Sequence, residues 1–364
     1  MKVLHCIHSL AGGGAERQLC QMLAMSSSCG IDMRVFCVND DYVEGSVPSD
    51  RVIKISDKKK YPFELINEIG RAVDGFQPDL VHCWLPVPVI LPAMIVAKWR
   101  SLPVLASYRV SKKFRSVYEW IEYFAYRYMA DTIVSNNPPE QSNAAYRRLF
   151  ASKRGVYIPN SVSVDLESHR DIQSSDPEEP FKILFVGRIA DEQKNWRNLL
   201  AAVSQIERDK NFRLQICGSG DEDEQLKTEV YKLGLGERVD ILGYCSDVYA
   251  VVRRSDVLVL PSWYEGMPNV VVEAMALGLP VIVSRVPAHT LLFGDHSGVT
   301  YIDPADPSSI TNALGSFMDG EVDLKCLVET AYEFAKTLSP EKLLQRYQSL
   351  YERVVDDFDK KRKA

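Results

Sequence analysis

Glu265 and Glu273 stand eight positions apart in the run Pro261-Ser-Trp-Tyr-Glu265-Gly266-Met267-Pro268-Asn269-Val-Val-Val-Glu273. An apolar stretch, Val257-Leu-Val-Leu260, leads into this loop, and a helix is predicted to begin near Pro268, whose fixed φ suits a first helical turn. Gly266 lets backbone approach a ligand closely. The amides of Met267, Asn269 and Val270 would then open the helix, where aligned peptide dipoles favour an anion such as a diphosphate. Carboxylates accept hydrogen bonds from hydroxyls. Glu273, early in the helix, suits two ribose hydroxyls, and Glu265, on the loop, lies nearer a reacting sugar. Acidic residues also favour helix starts for structural reasons alone.

A second constellation follows another apolar run: Phe185-Val-Gly187-Arg188-Ile-Ala-Asp-Glu-Gln-Lys194-Asn195. The planar fork of Arg188 and the compact charge of Lys194 suit one pyrophosphate and the charge that develops on a departing nucleotide. Alone, such cations are more often solvated surface residues. The glutamate loop in the same half of the chain favours the ligand role.

These residues need strands to end beneath them. Short apolar runs alternate with helix-length segments through the first half: Val3–His8, Arg34–Val38, Leu80–Trp84, Val104–Ser107, Thr132–Ser135 and Val156–Ile158, with helices over Glu16–Ser26, Phe63–Phe76 and Val117–Met129. Ser168–Pro180 is polar and proline-bearing and reads as a linker. The alternation resumes at 182–187 and continues through Arg213–Cys217, Val239–Leu242, Val257–Leu260 and Val281–Val283, and a helical tail runs from Pro340 to about 357. This is an α/β chain of βαβ units with parallel sheets. Three parts are expected: 1–175, 176–340 and a terminal helix, 341–364, that crosses back to the first. Ligands of doubly wound sheets bind beyond the carboxyl ends of strands.

The E-G-x-P-x-x-x-x-E loop resembles glycosyltransferase family 4 and its group-1-type relatives of bacterial polysaccharide and lipid-linked glycan synthesis. The resemblance covers nearly the whole chain. It implies a GT-B fold, with two Rossmann-like doubly wound domains around an interdomain cleft. It also implies a retaining transferase that moves a sugar from a nucleotide-sugar, commonly UDP-linked, to a glycan or lipid-linked acceptor. The first domain would bind acceptor and the second the donor. The acceptor hydroxyl would attack from the face the diphosphate leaves, and the departing phosphate would take its proton. Arg188, Lys194 and Glu265 carry the catalytic roles, Glu265 as a supporting group and not a nucleophile. Gly187 to Asn195 resembles the family's G-R-(x)5-K-G segment, with Asn195 where glycine is usual.

Gly218-Ser-Gly220 resembles the strand-to-loop segment of the donor domain, and 239–247 resembles the segment lining the base pocket. Backbone near Leu242 would read the base edge and Tyr244 would stack. The triple glycine Gly12-Gly13-Gly14 follows the first strand. It is not G-x-G-x-x-G, which disfavours a dinucleotide. The resemblance places Gly13 and Gly14 near donor phosphates. Arg109 stands where the family often has a histidine. A guanidinium stays charged and cannot act as a base, so Arg109 is expected to bind an anionic acceptor or phosphate, with His82 as a second acceptor contact. His289 is placed to approach the donor sugar. No cofactor or metal is expected, the nucleotide-sugar being a substrate.

The composition narrows the alternatives. A net charge of −6 over 364 residues argues against a nucleic-acid binder. Residues 1–175 hold 21 Lys and Arg against 18 Asp and Glu, and the remainder 22 against 31, so the first half is the one to meet an anion. The eight cysteines form no CxxC pair and several sit in apolar runs, which fits reduced thiols in a cytoplasmic protein. No signal peptide is evident at the N-terminus. The apolar stretch Trp84–Ala97 is short and carries three prolines, unlike a membrane span. Residues 108–128 combine eight aromatics with a basic start, and Lys58-Lys59-Lys60 adds charge. That pattern suits peripheral contact with an anionic membrane surface, here the inner face. Two other classes use the same residues: a non-catalytic GT-B protein binding nucleotide or glycan, and a sugar-nucleotide epimerase. The complete set Glu265, Glu273, Arg188 and Lys194 disfavours the first, though Arg109 keeps it open; the second has no distinct signal.

Overall fold

The computed structural model describes residues 1–10, 14–39, 47–54, 62–84, 87–108, 117–137, 144–162, 164, 179–295 and 298–363. Gly13, Arg109, Lys58-Lys59-Lys60 and most of the expected linker lie outside them. The chain forms two compact units, Met1–Ser161 with Ser339–Ala364, and Val162–Leu338.

In the first unit the strands are β1 (Lys2–Ile7), β2 (Asp32–Cys37), β3 (Val52–Lys54), β4 (Leu80–Cys83), β5 (Val104–Tyr108), β6 (Thr132–Ser135) and β7 (Val156–Tyr157). Its helices are α1 (Gly14–Met25), α2 (Pro62–Phe76), α3 (Val87–Trp99), α4 (Val117–Met129) and α5 (Ala144–Ser152). In the second unit the strands are β8 (Phe181–Val186), β9 (Phe212–Cys217), β10 (Val239–Gly243), β11 (Val257–Leu260), β12 (Val281–Ser284) and β13 (Thr300–Ile302). Around them lie α6 (Asp191–Lys194), α7 (Trp196–Ser204), α8 (Asp223–Lys232), α9 (Val248–Val252) and α10 (Asn269–Ala276). Next come α11 (Pro287–Phe293), α12 (Pro307–Met318) and α13 (Leu324–Lys336). The chain closes on α14 (Pro340–Lys363).

The sheet orders are β3-β2-β1-β4-β5-β6-β7 and β10-β9-β8-β11-β12-β13, and the strand pairs are parallel. Both faces of such sheets are covered, so central strands such as Val257-Leu-Val-Leu260 are buried throughout. Each order reverses direction once, between β1 and β4 and between β8 and β11, the switch points where loops diverge and leave a crevice.

The terminal helix belongs to the first unit's core. Leu343, Leu344, Tyr347, Leu350, Tyr351 and Val354 bury their side chains among Val3, Ile7, Leu80 and Trp84. This packing settles His82, which was expected to meet the acceptor. Alternation along β4 sends Leu80, His82 and Trp84 to one face and Val81 and Cys83 to the other. His82 is fully buried, with Nδ1 3.1 Å from the Tyr351 hydroxyl and Nε2 2.9 Å from Ser107 Oγ. Both ring nitrogens are occupied inside the core, so His82 tethers α14 to the sheet and is not an acceptor contact.

Its neighbour His5 is also fully buried and accepts at Nδ1 from Trp84 Nε1, 3.0 Å away. Burial pushes its imidazole down from the ordinary 6.5 to about 3. Folding therefore keeps His5 neutral where the unfolded chain takes up a proton. Its contribution is complete above pH 6.5 and is lost as pH falls from 6.5 toward 3, by about 1.4 kcal/mol per pH unit. Urea unfolding followed between about pH 6.5 and 5 should show this loss, and a flat profile would refute it.

Candidate active site

Strands β8 and β11 pair directly, Val257 with Ile183 and Leu258 with Leu184, so the loops after them leave the sheet side by side at the switch point. The first loop carries Gly187, Arg188 and Lys194; the second carries Ser262, Glu265, Gly266, Met267 and Pro268. Topology thus brings together two segments about seventy residues apart. A backbone bond from Trp263 N to Gln193 O, 2.8 Å, laces α6 to the second loop.

At the meeting point Lys194 Nζ lies 2.6 Å from Glu265 Oε1, with the two side chains only 14% and 6% exposed. Ser262 Oγ donates to the same oxygen at 2.7 Å. Ser284 Oγ, at the end of β12, donates to Ser262 O at 2.6 Å and steadies that loop. The spacing in the sequence did not reveal this ion pair, which fixes the orientation of Lys194.

The turn between α6 and α7 explains the departure at Asn195. Its backbone is left-handed, φ 57° and ψ 39°, a conformation that favours glycine but that asparagine tolerates. The side chain adds what glycine lacks: Nδ2 donates to Pro261 O at 3.0 Å and to Pro304 O at 2.7 Å. Asn195 therefore ties the Lys194 turn to the strand that precedes the glutamate loop. Gly187 is constrained differently. A Cβ there would lie 3.1 Å from Lys194 Cε, so the missing side chain leaves the path along which Lys194 reaches Glu265.

Arg188 is not drawn into this cluster. Its guanidinium is exposed and 3.4 Å from Asp221, itself almost wholly exposed, and exposed pairs of this kind exchange readily. On the glutamate loop, α10 begins at Asn269, one residue later than expected, with Pro268 as its cap. The Asn269 amide is used within the turn, donating to Met267 O at 3.0 Å. Among the described residues the Met267 and Val270 amides make no backbone hydrogen bond, so they are the donors left at the helix opening. Glu273 is buried in the second turn of α10.

His289, on α11, is completely buried next to this cluster. Its Nδ1 lies 2.7 Å from Ser284 O, and since a carbonyl can only accept, Nδ1 carries the proton. Nε2 is then a lone-pair acceptor, buried with no hydrogen-bond partner. Burial lowers its pKa; the bond to Ser284 and the Glu265 charge oppose this, and Lys194 reinforces it. A neutral imidazole with one vacant acceptor suits a hydroxyl donor.

The rim is built by β9 and β10. Gly218 has φ +149°, and a Cβ there would come within 1.8 Å of Gly187 O, so only glycine lets the β9 loop touch the β8 loop. Leu242 and Tyr244, at the end of β10, are both exposed, Tyr244 by 81%. One expectation is overturned here: Cys217 and Cys245 form a disulfide, with Cα atoms 5.9 Å apart. β9 ends at Cys217 and its parallel neighbour β10 at Gly243, two residues before Cys245, which brings the two cysteines within bridging distance.

Two adjacent loops at a sheet's switch point, a buried Lys–Glu pair, a helix opening and an exposed aromatic stand together where doubly wound sheets bind ligands. The family model for group 1 glycosyl transferases matches residues 168–334, and that for glycosyltransferase family 4 matches residues 12–166. The lipopolysaccharide core biosynthesis glycosyltransferase LpsD of Rhizobium meliloti is 25% identical, covering 98% of this chain and 99% of its own. An Escherichia coli UDP-Gal:alpha-D-GlcNAc-diphosphoundecaprenol alpha-1,3-galactosyltransferase is 30% identical over 58% of this chain and 57% of its own. Among solved structures, HepE of Anabaena in complex with UDP superposes with TM-score 0.78 at 16% identity, over 97% of this chain and 100% of that one. The chain belongs to the group 1 glycosyltransferases, with a family 4 first half, and has the GT-B fold.

Proposed function

We propose that this glycosyltransferase is a retaining, metal-independent hexosyltransferase that uses a UDP-sugar and glycosylates a glycan or lipid-linked acceptor at the inner face of the membrane. The observation that carries the donor half is the Lys194–Glu265 pair beside the opening of α10. In this reading the diphosphate takes Lys194 and the Met267 and Val270 amides, and Arg188 leaves Asp221 to join them. These groups supply the positive charge that a metal supplies elsewhere. Glu273 accepts from the ribose hydroxyls, and Tyr244 stacks on the base. Glu265, released from Lys194, and Nε2 of His289 accept from hydroxyls of the sugar.

The bond from the anomeric carbon to the diphosphate breaks, and one to the acceptor oxygen forms on the same face. The acceptor proton passes to the departing phosphate oxygen. The uridine preference is supported by HepE, solved with UDP, and by the galactosyltransferase named for UDP-Gal. The lipid-linked acceptor is supported by that second relative's diphosphoundecaprenol substrate and by the exposed aromatics Trp120, Phe124 and Tyr128 on α4.

Melting curves against a panel of UDP-, GDP-, ADP- and dTDP-sugars test the donor. A UDP-sugar should raise Tm, since a ligand at about a hundred times its Kd adds about 2.7 kcal/mol to folding. If no sugar nucleotide moves Tm at millimolar concentration, the proposal is wrong.

A further inference from the structure

Far along the first unit from its strand-end loops, α4, α5 and α14 enclose a cavity of about 560 Å³. It opens where β6 begins, since Asp131 and Thr132 line it, so it lies at the end of the sheet opposite the loops that follow the strands. Four cations, Arg127, Lys153, Arg154 and Lys361, face two carboxylates, Asp131 and Asp357.

Both carboxylates are already engaged. Asp131 accepts from Lys98 Nζ and from the Val104 amide, each at 2.9 Å, and Asp357 lies 3.2 Å from Arg154. Among the described residues Arg127, Lys153 and Lys361 form no ion pair. Lys153 is half-buried and spends one proton on Ala130 O, 2.7 Å away. Burial lowers its pKa, and the charges of Lys98, Lys361 and Arg127 lower it further against the pull of Asp131. Arg127 is held by Tyr128 and Tyr123, which raise its pKa, but Lys153 and Lys361 converge on the same cavity, and an anion with several acceptor oxygens relieves the repulsion there.

The flank of the cavity indicates what carries that anion. Arg127 and Tyr128 end α4, and from there Tyr128, Phe124 and Trp120 run back along the helix one turn apart, all exposed, Tyr128 by 70%. Phe124 and Tyr128 lie parallel, 6.2 Å between centroids. On the other side the last turn of α14 carries Lys360, Lys361, Arg362 and Lys363. Aromatic side chains in a row beside clustered cations match the acyl boundary and the phosphate plane of a bilayer respectively.

We infer that this cavity is a binding site for the phosphate of an anionic lipid headgroup, with the α4 aromatics as the flank that enters the bilayer. The inference rests on the membrane half of the proposed function and on no part of the transfer chemistry.

Co-sedimentation of the full chain with phosphatidylcholine vesicles, with and without phosphatidic acid, tests it. Three proteins are compared: wild type, Lys153→Gln/Lys361→Gln, and Lys227→Gln/Lys232→Gln, which removes equal charge from α8. Wild type and the α8 variant should bind phosphatidic acid vesicles alike, and the cavity variant about tenfold more weakly, the loss of charge-assisted hydrogen bonds. Unchanged melting temperatures establish that all three are folded. Equal binding by both variants overturns the cavity while leaving membrane contact standing. Absence of wild-type binding to any anionic vesicle overturns both. A melting shift with inorganic phosphate that needs Lys153 and Lys361, without vesicle binding, overturns the lipid assignment.

Discussion

Lys194→Ala should lower sugar transfer by about two to three orders of magnitude, the usual cost of removing one preorganised group that meets charge developing in a transition state. The same substitution should lower unfolding free energy by about 3–5 kcal/mol, because it removes the counter-charge of the buried Glu265 carboxylate. The two effects separate in the double variant Lys194→Ala/Glu265→Gln. A neutral amide still accepts from Ser262 Oγ, 2.7 Å away, and needs no counter-charge, so stability should return while activity should not. Denaturant unfolding and single-turnover transfer measure the two quantities. Recovery of both would mean that Lys194 serves only to neutralise Glu265.

Gly218→Ala should cost about 3–5 kcal/mol, with backbone strain and overpacking each adding about 1–3. The backbone sits at φ +149°, and the new methyl would meet Gly187 O at 1.8 Å. The neighbouring loop must move, and it carries the glycine over which Lys194 passes, so transfer should fall as well. Gly236→Ala, where no atom lies within 4 Å of the new methyl, is the control and should shift stability by less than about 0.5 kcal/mol. Equal urea midpoints for the two variants would show that the contact between the β8 and β9 loops is not needed.

Most of the architecture was legible because parallel strands buried on both faces read as continuous apolar runs, as at Val257-Leu-Val-Leu260. Strands β3 and β13, three residues each, escaped notice. Helix α3 hid for the opposite reason: it is apolar nearly all round, with Pro92 inside, so it lacks the polar face by which a helix announces itself. Helix α14 continues to Lys363, past the last apolar position, on residues whose only pattern is charge.

At the site, residue types were legible and partnerships were not. Glu265, Lys194 and Gly218 stood out by motif, but which carboxylate meets which cation depends on β8 lying beside β11, information held in the sheet order. Ser262 precedes Glu265 by three residues, a spacing that signals a local hydrogen bond once the loop is known. His82 misled because a histidine near a strand end looks alike whether it faces solvent or α14. Only the alternation Leu80, His82, Trp84 marked it as core. The Cys217–Cys245 bridge joins ends of neighbouring strands 28 residues apart, a proximity invisible without the parallel pairing.

The most direct test of the central claim is a titration of uridine and UDP into wild type and Arg188→Ala/Lys194→Ala. If these cations hold the diphosphate, the double variant should lose about a hundredfold or more in affinity for UDP, two charge-assisted contacts at about 1.5–3 kcal/mol each, and almost nothing for uridine. Equal losses for both ligands, or undiminished binding of UDP, would contradict the account.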